Sequence, residues 1–296
     1  MTSYRILDEH IDGLRRTFGI SVDADPIVAA VESRLQKMRR TARMPGFRRG
    51  RVPLGMLRNL YGQHLRAAVV DQLAIDVARR LIVEKGLEPT RRPTIHIDEE
   101  SAASSESVTF NLLLEVMPQV VLGPLDGFQL RHLRVTNEHP ALIEQGNEHL
   151  RRQLFDKLMT LHGFPVPQDM VENEYARIGR GFEAEVGQVV DAEVEQELRR
   201  IAARRVRLAI LLTEIGRTHD ISVPRSEVEA LVQRQAERDP EHQAEIIDYY
   251  LDHPTALAEL QSPLFEKRVV EFLLSRSEIE VVDLSAEEFQ LAMEQL

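Results

Sequence analysis

The sequence predicts an α+β N-terminal domain, with an antiparallel sheet and two main helices, followed by an all-α domain built of helical arms. Apolar residues alternate with a period of two in the early strand segments and recur at helical spacing between them, and from about residue 141 the helical spacing continues. Pro118, Gly123-Pro124 and Gly127 interrupt the pattern between the two halves. We therefore predict domains at residues 1–122 and 141–296, joined by a connector at 123–140.

The predicted sheet rests on two alternating segments. The first places a mostly apolar row on one face, with one arginine in it: Leu14, Arg16, Phe18, Ile20 and Val22. The second is apolar throughout: Val108, Phe110, Leu112, Leu114 and Val116, preceded by Ile95 and Ile97. The polar segment from Glu99 to Ser107 is expected to be a hairpin loop.

Two helices are predicted between these strands. Asp25-Pro26 provides an N-cap and a proline at the first helical position. The second helix keeps a four-residue apolar step from Leu65 to Leu81, and Gly86 is expected to be its C-cap.

The second half contains two similar segments, Phe164–Glu172 and Ile221–Glu229, each with a proline before a helical pattern. They are either a weak internal repeat or two ordinary helix starts, and a fainter third copy would begin at Ile279. In both interpretations the half consists of helical arms joined by extended corners.

The composition is that of a globular chain with excess negative charge. The 296 residues include 29% charged and 43% hydrophobic residues, with a formal net charge of −11. The chain has no cysteine, which excludes disulfides, thiol nucleophiles and cysteine-bound metals. The N-terminus lacks the apolar core of a signal peptide, and no stretch has the apolar length of a membrane span, so we expect a cytoplasmic protein.

The positive charge is concentrated in one segment. Residues 34–66 contain ten Lys or Arg and no Asp or Glu, so the remainder, with 27 basic and 48 acidic residues, has a formal charge of −21. A basic segment on an acidic protein indicates one local anionic partner rather than general binding of nucleic acids.

At the centre of this basic segment lies the run Gly46-Phe47-Arg48-Arg49-Gly50-Arg51. Pro45-Gly46 predicts a tight turn and Gly50 permits a second, which would hold Phe47 and three arginines at a loop tip between two helices. Guanidinium groups pair with carboxylates or phosphates, and an aromatic ring can anchor a contact. The alternative is that Phe47 packs into the core and the arginines are only solvated.

This run, with Val52-Pro53 after it, resembles the signature loop of bacterial trigger factor, Gly-Phe-Arg-x-Gly-x-x-Pro, in which lysine is usual at positions 49 and 51. The resemblance continues through Leu60-Tyr61-Gly62, the predicted strand 108–120 and the helical segments, and so covers nearly the whole chain. It implies that Gly46, Phe47, Arg48, Arg49, Gly50 and Arg51 bind the ribosomal protein beside the exit tunnel, with rRNA nearby. It also implies that the helical domain shields nascent or unfolded polypeptides without ATP, and it leaves open a homodimer of the free protein.

One departure from the family pattern changes the expected activity. The family normally carries a peptidyl-prolyl isomerase domain, of about 100 residues, where this chain has only residues 131–140. We therefore expect no catalytic residues and no enzyme activity. The alternatives are a ribosome-independent holdase, a residual peptidyl-prolyl isomerase and, more distantly, an RNA-binding adaptor.

No other motif predicts a cofactor or a metal. Gly179–Ala184 fits the loosest dinucleotide fingerprint but lies in a helical pattern without a preceding strand. The ten histidines include no His-Glu-x-x-His pair, so we expect no metal site.

Overall fold

The computed structural model describes residues 3–98, 101, 107–135, 139–186 and 192–295, with the backbone alone for 182–186. The chain forms two compact units: Met1–Pro118 with Pro165–Arg177, and Gln119–Phe164 with Ile178–Leu296. The first unit is α+β and the second is mainly helical, so the predicted fold class is confirmed at this level. In the described ranges no helix has the length and apolar character needed to cross a membrane.

A four-stranded antiparallel sheet forms the base of the first unit. Its strands are β1 (Tyr4–Asp12), β2 (Arg15–Asp23), β3 (Thr94–Ile97) and β4 (Ser107–Glu115), in the order β1-β2-β4-β3. A two-residue loop joins β1 to β2 and begins with Gly13, whose φ of 57° suits such a hairpin. The predicted hairpin loop from Glu99 to Ser107 lies mostly outside the described residues.

The sequence did not predict β1. Eight of its nine side chains are exposed, because β1 is an edge strand with charged residues along it. Such a strand has no apolar alternation to detect, and its charges discourage further pairing at the edge. The strand therefore follows from pairing with β2 and not from its own pattern.

Two helices follow β2. These are α1 (Ala24–Thr41) and α2 (Leu54–Glu84). Helix α2 packs on the sheet in one buried cluster that includes Ala74, Val77, Ala78 and Leu81 from the helix and Phe18, Ile20, Phe110 and Leu112 from the strands.

The end of α2 is as predicted, whereas the start of α1 is not. Gly86 has a φ of 60°, its N–H donates to the Val83 carbonyl at 3.1 Å, and the N–H of Leu87 donates to the Ile82 carbonyl at 3.0 Å. These are the two bonds of a glycine C-cap. The predicted N-cap at Asp25 is wrong, because the helix begins at Ala24, directly after Asp23, the last residue of β2.

The second unit consists of helices around an apolar core. The helices after α2 are α3 (Pro140–Leu161), α4 (Gln168–Val186), α5 (Ala192–Thr218), α6 (Arg225–Ala236), α7 (Gln243–Asp252), α8 (Pro254–Ser275) and α9 (Ala286–Glu294). Helix α4 begins in the first unit and continues into the second. Three helices supply most of the core: Leu154 and Leu158 from α3, Leu211 and Ile215 from α5, and Val269 and Leu273 from α8.

The second unit is not all-α. Strand β5 (Gln129–Val135) pairs in parallel with β6 (Glu278–Leu284), so the predicted connector contains a strand and the prediction of continuous helix is wrong at β6. Leu130, Leu133 and Val135 of β5 are buried. Because the two strands are far apart in the chain, neither has a local partner that would reveal the pair in the sequence.

The two similar segments are similar helix starts in different units. Helices α4 and α6 begin directly after Pro167 and Pro224. In each, the N–H four residues later donates to the proline carbonyl, from Val171 at 3.1 Å and from Val228 at 3.2 Å. The faint third copy at Ile279 lies in β6 and is therefore not a helix start.

Candidate functional site

Two successive tight turns shape the loop between α1 and α2. In the first, the N–H of Phe47 donates to the Met44 carbonyl at 3.1 Å, and in the second the N–H of Arg51 donates to the Arg48 carbonyl at 2.9 Å. The third residue of each turn is a glycine, Gly46 with φ 81° and Gly50 with φ 78°. A positive φ at this position is the mark of a type II turn. Both predicted turns are confirmed.

A small apolar cluster fixes the base of the loop. Leu35 of α1, Val52 of the loop and Leu57 of α2 are completely buried, and Met44 packs against them. One turn into α2, Arg58 pairs with Glu32 of α1. The two helices are thus joined at the loop by both apolar and ionic contacts, which gives the tip a rigid support.

The tip itself presents side chains to solvent. Phe47 is 39% exposed and lies outside the buried cluster. Arg48, Arg49 and Arg51 are exposed, and none of them has an ion pair or side-chain hydrogen bond to another described residue. Of the two interpretations of this loop, the one that buries Phe47 is therefore wrong, because Val52 occupies the apolar position beneath the turns.

The same end of the first unit carries apolar side chains that the sequence analysis did not single out as a surface. Met56 and Leu60 are exposed on one face of α2, at 42% and 54%, and Tyr61 beside them is exposed as well. Leu60-Tyr61 entered the sequence analysis only through the family resemblance. The sequence does contain a signal for this surface, because α2 has more apolar residues than the single stripe that it buries.

The structure gives no support to the other candidate sites. Gly179 and Gly181 lie inside α4, where a glycine-rich phosphate loop cannot form. Among the residues that the structure describes, no three His, Asp or Glu side chains are grouped so as to hold a metal ion.

Comparison with known proteins gives two family matches that together span most of the chain. Residues 5–146 match the family model described as bacterial trigger factor protein, and residues 136–275 match the model of the trigger factor C-terminus. The curated relatives include the trigger factors of Rhodospirillum centenum, 24% identical over 96% of each chain, and Azospirillum brasilense, 22% identical over 96% of this chain and 97% of the relative. A solved structure of the trigger factor chaperone, reported for promiscuous substrate recognition in folding and assembly, has the same fold, with a TM-score of 0.59 at 13% identity over 92% of this chain and 99% of that one.

These matches identify the protein as a ribosome-associated chaperone that assists protein folding. Within that class, the chain belongs to the bacterial trigger factor family.

The chain is a shortened form of that family, as predicted. The alignment with the Rhodospirillum centenum relative spans 434 positions, whereas this chain has 296 residues. A long part of that relative therefore has no counterpart in this chain. The N-terminal match ends at residue 146 and the C-terminal match begins at residue 136, which leaves no room between them for an inserted domain.

Proposed function

We propose that this protein is an ATP-independent chaperone that docks at the ribosomal exit tunnel through Gly46–Arg51 and shields nascent or unfolded polypeptides, without isomerase activity. The partners in docking are the ribosomal protein beside the tunnel and nearby rRNA, and the site of action is the cytoplasm. The single observation that carries the proposal is the loop tip, where Phe47 and three arginines are exposed on two fixed turns.

The chemistry of the tip supports docking to a mixed protein and RNA surface. An exposed aromatic ring is a typical anchor at a protein interface, while arginines that have no partner among the described residues are available to carboxylates and phosphates. Because the turns set the loop backbone before binding, little conformational entropy is lost when a partner is met.

The ribosome-binding step is tested by co-sedimentation with empty ribosomes. The variant Phe47→Ala/Arg48→Ala/Arg49→Ala is expected to lose pelleting by at least tenfold in affinity, since an anchor and two charges are removed. The matched control Tyr249→Ala/Arg200→Ala/Arg225→Ala removes one exposed aromatic ring and two exposed arginines from the second unit. Undiminished pelleting of the loop variant would contradict docking and favour a ribosome-independent holdase.

The client-shielding role is supported by apolar side chains dispersed over the second unit. The exposed ones are Val121, Ile143, Leu161, Tyr249, Leu251, Val281 and Leu291. Flexible methionine side chains suit such a surface, but Met56, in the first unit, is the one exposed methionine among those described. Leucine, valine and tyrosine would therefore provide most of the contacts to unfolded chains.

Isomerase activity is tested separately from shielding. Refolding of a substrate limited by a prolyl bond has a slow phase of tens to hundreds of seconds. We expect this protein to suppress aggregation of such a substrate without accelerating that phase, because the alignment leaves no space for the isomerase domain. A full-length family member that has the isomerase domain is the positive control. Acceleration by this chain would contradict the proposal and identify a residual isomerase.

A further inference from the structure

A second cationic site lies in the first unit, outside the loop. It is a cavity of about 270 Å³ at the end of the sheet where β2 begins. The lining includes four arginines, two threonines and one histidine: Arg15, Arg16, Arg91, Arg92, Thr17, Thr94 and His96.

The acidic groups of this cavity are already engaged. Both carboxylate oxygens of Glu115 accept backbone N–H groups at the start of α4, from Gln168 and Asp169, each at 2.8 Å. The Asp169 carboxylate in turn pairs with Arg91 at 2.6 Å. Each acid thus has partners of its own, although both keep their negative charge.

The remaining guanidinium groups keep their positive charge. Arg16 donates to two neutral acceptors, the carbonyls of Gly13 at 2.7 Å and Arg15 at 3.0 Å. Within the described residues, Arg15 and Arg92 have no ion pair and no side-chain hydrogen bond, although Asp12 lies opposite Arg15 in the hairpin register. The cavity thus holds four arginines against two carboxylates, which leaves an excess of positive charge that suits an oxyanion.

The position of the cavity favours a polypeptide over a nucleic acid as the source of that oxyanion. Helix α2 has 31 residues and hence rises about 46 Å from the loop at its N-terminus. The chain reaches the cavity at Arg91 seven residues after the helix ends. The cavity therefore lies near the far end of α2, away from a surface that the loop contacts. Its lining contains no Phe, Tyr or Trp, and the imidazole of His96 is the one ring in it.

We propose that this cavity binds the carboxylates of acidic segments in unfolded polypeptides. The inference rests on the proposed function only in taking unfolded polypeptide as the ligand. Residues 119–296 contain 19 basic and 33 acidic residues and would repel such segments. The cavity gives an acidic client a favourable contact that residues 119–296, with their excess of acids, do not provide.

The test is fluorescence anisotropy of the full chain, without ribosomes, using a short labelled peptide of alternating Ala and Glu. The wild type is expected to bind this peptide with an affinity that falls as salt rises, and to bind the matching Ala and Gln peptide much more weakly. The variant Arg15→Gln/Arg92→Gln is expected to bind the acidic peptide about tenfold more weakly. The control Arg40→Gln/Arg43→Gln removes the same charge from exposed positions on α1 and the loop and is expected to bind as the wild type does.

Two outcomes would overturn the proposal. One is equal binding of the acidic peptide by the cavity variant and the control variant. The other is tighter binding of a single-stranded RNA oligonucleotide than of the peptide, lost in the cavity variant, which would make this a phosphate site. Ribosome pelleting of the cavity variant is expected to be unchanged, so failure here is distinguishable from failure of loop docking.

Discussion

Gly46 and Gly50 determine the backbone of the docking loop, since each occupies the third position of its turn with φ near 80°. A side chain with a Cβ atom is strained in this left-handed region by about 1–2 kcal/mol. The nearest atom to a Cβ at Gly50 would be 3.9 Å away, and nothing lies within 4 Å at Gly46, so strain and not crowding is the relevant effect.

This strain gives a prediction for Gly50→Ala. The variant is expected to lose about 1 kcal/mol of unfolding free energy and to pellet less with ribosomes, because relief of the strain would move the arginines on either side of the turn. Urea denaturation and co-sedimentation measure the two effects. Gly55→Ala is the matched control, because Gly55 lies in the first turn of α2 with open space around it. Equal behaviour of the two variants would show that the turn conformation does not matter for docking.

For individual residues, the sequence alone predicted the two turns of the loop but not which side chains are exposed at its tip. Pro45-Gly46 and Gly50 predict turns because their backbone preferences are local. Whether Phe47 or Val52 enters the space between α1 and α2 depends on how far apart the helices lie, and no local pattern contains that distance. The structure buries Val52 completely and leaves Phe47 at the surface.

At the scale of secondary-structure elements, a buried carboxylate anchors the start of α4 to the sheet. Glu115, the last residue of β4, is 7% exposed and accepts the first two N–H groups of the helix. A carboxylate at this place satisfies amides that have no partner within the helix and interacts favourably with the helix dipole.

Glu115→Ala is therefore expected to destabilise the first unit by about 2 kcal/mol. Urea denaturation followed by circular dichroism measures the loss, and hydrogen exchange of the Gln168 and Asp169 amides should accelerate. Glu88→Ala is the matched control, because Glu88 is exposed and its side chain has no partner in the described part of the chain. Unchanged exchange at both amides in the Glu115 variant would mean that the capping bonds are not significant in solution.

Elements with local periodicity were predictable, and elements defined by their partners were not. Helix α2 has a continuous apolar stripe and a glycine C-cap, both visible in the sequence. Strands β1, β5 and β6 have no such signal. Strand β1 is polar because it is an edge strand, and β5 and β6 pair although they are far apart in the sequence. Pairing between distant segments is a tertiary effect, so composition and spacing could not supply it.

At the scale of the whole molecule, charge is distributed unequally along the chain. Residues 34–66 carry ten basic residues and no acidic one, while the rest has an excess of 21 negative charges. We interpret the acidic remainder as a means of preventing contact with RNA except at the basic segment, since a net negative field repels a polyanion at distances up to about 10 Å, the Debye length at 0.1 M salt.

This interpretation predicts that removing acidic charge will increase binding to RNA of arbitrary sequence. The variant Glu237→Gln/Glu241→Gln/Asp252→Asn changes three exposed acids in and around α6 and α7, none of which is in a described ion pair. We expect its affinity for a labelled single-stranded RNA to rise about two- to fivefold at low salt and to return to the wild-type value at high salt. The control Glu237→Asp/Glu241→Asp/Asp252→Glu keeps the charge and should bind as the wild type does. If the neutralised variant also binds as the wild type does, the overall field has no part in discrimination, and the loop alone must distinguish the ribosome from other RNA.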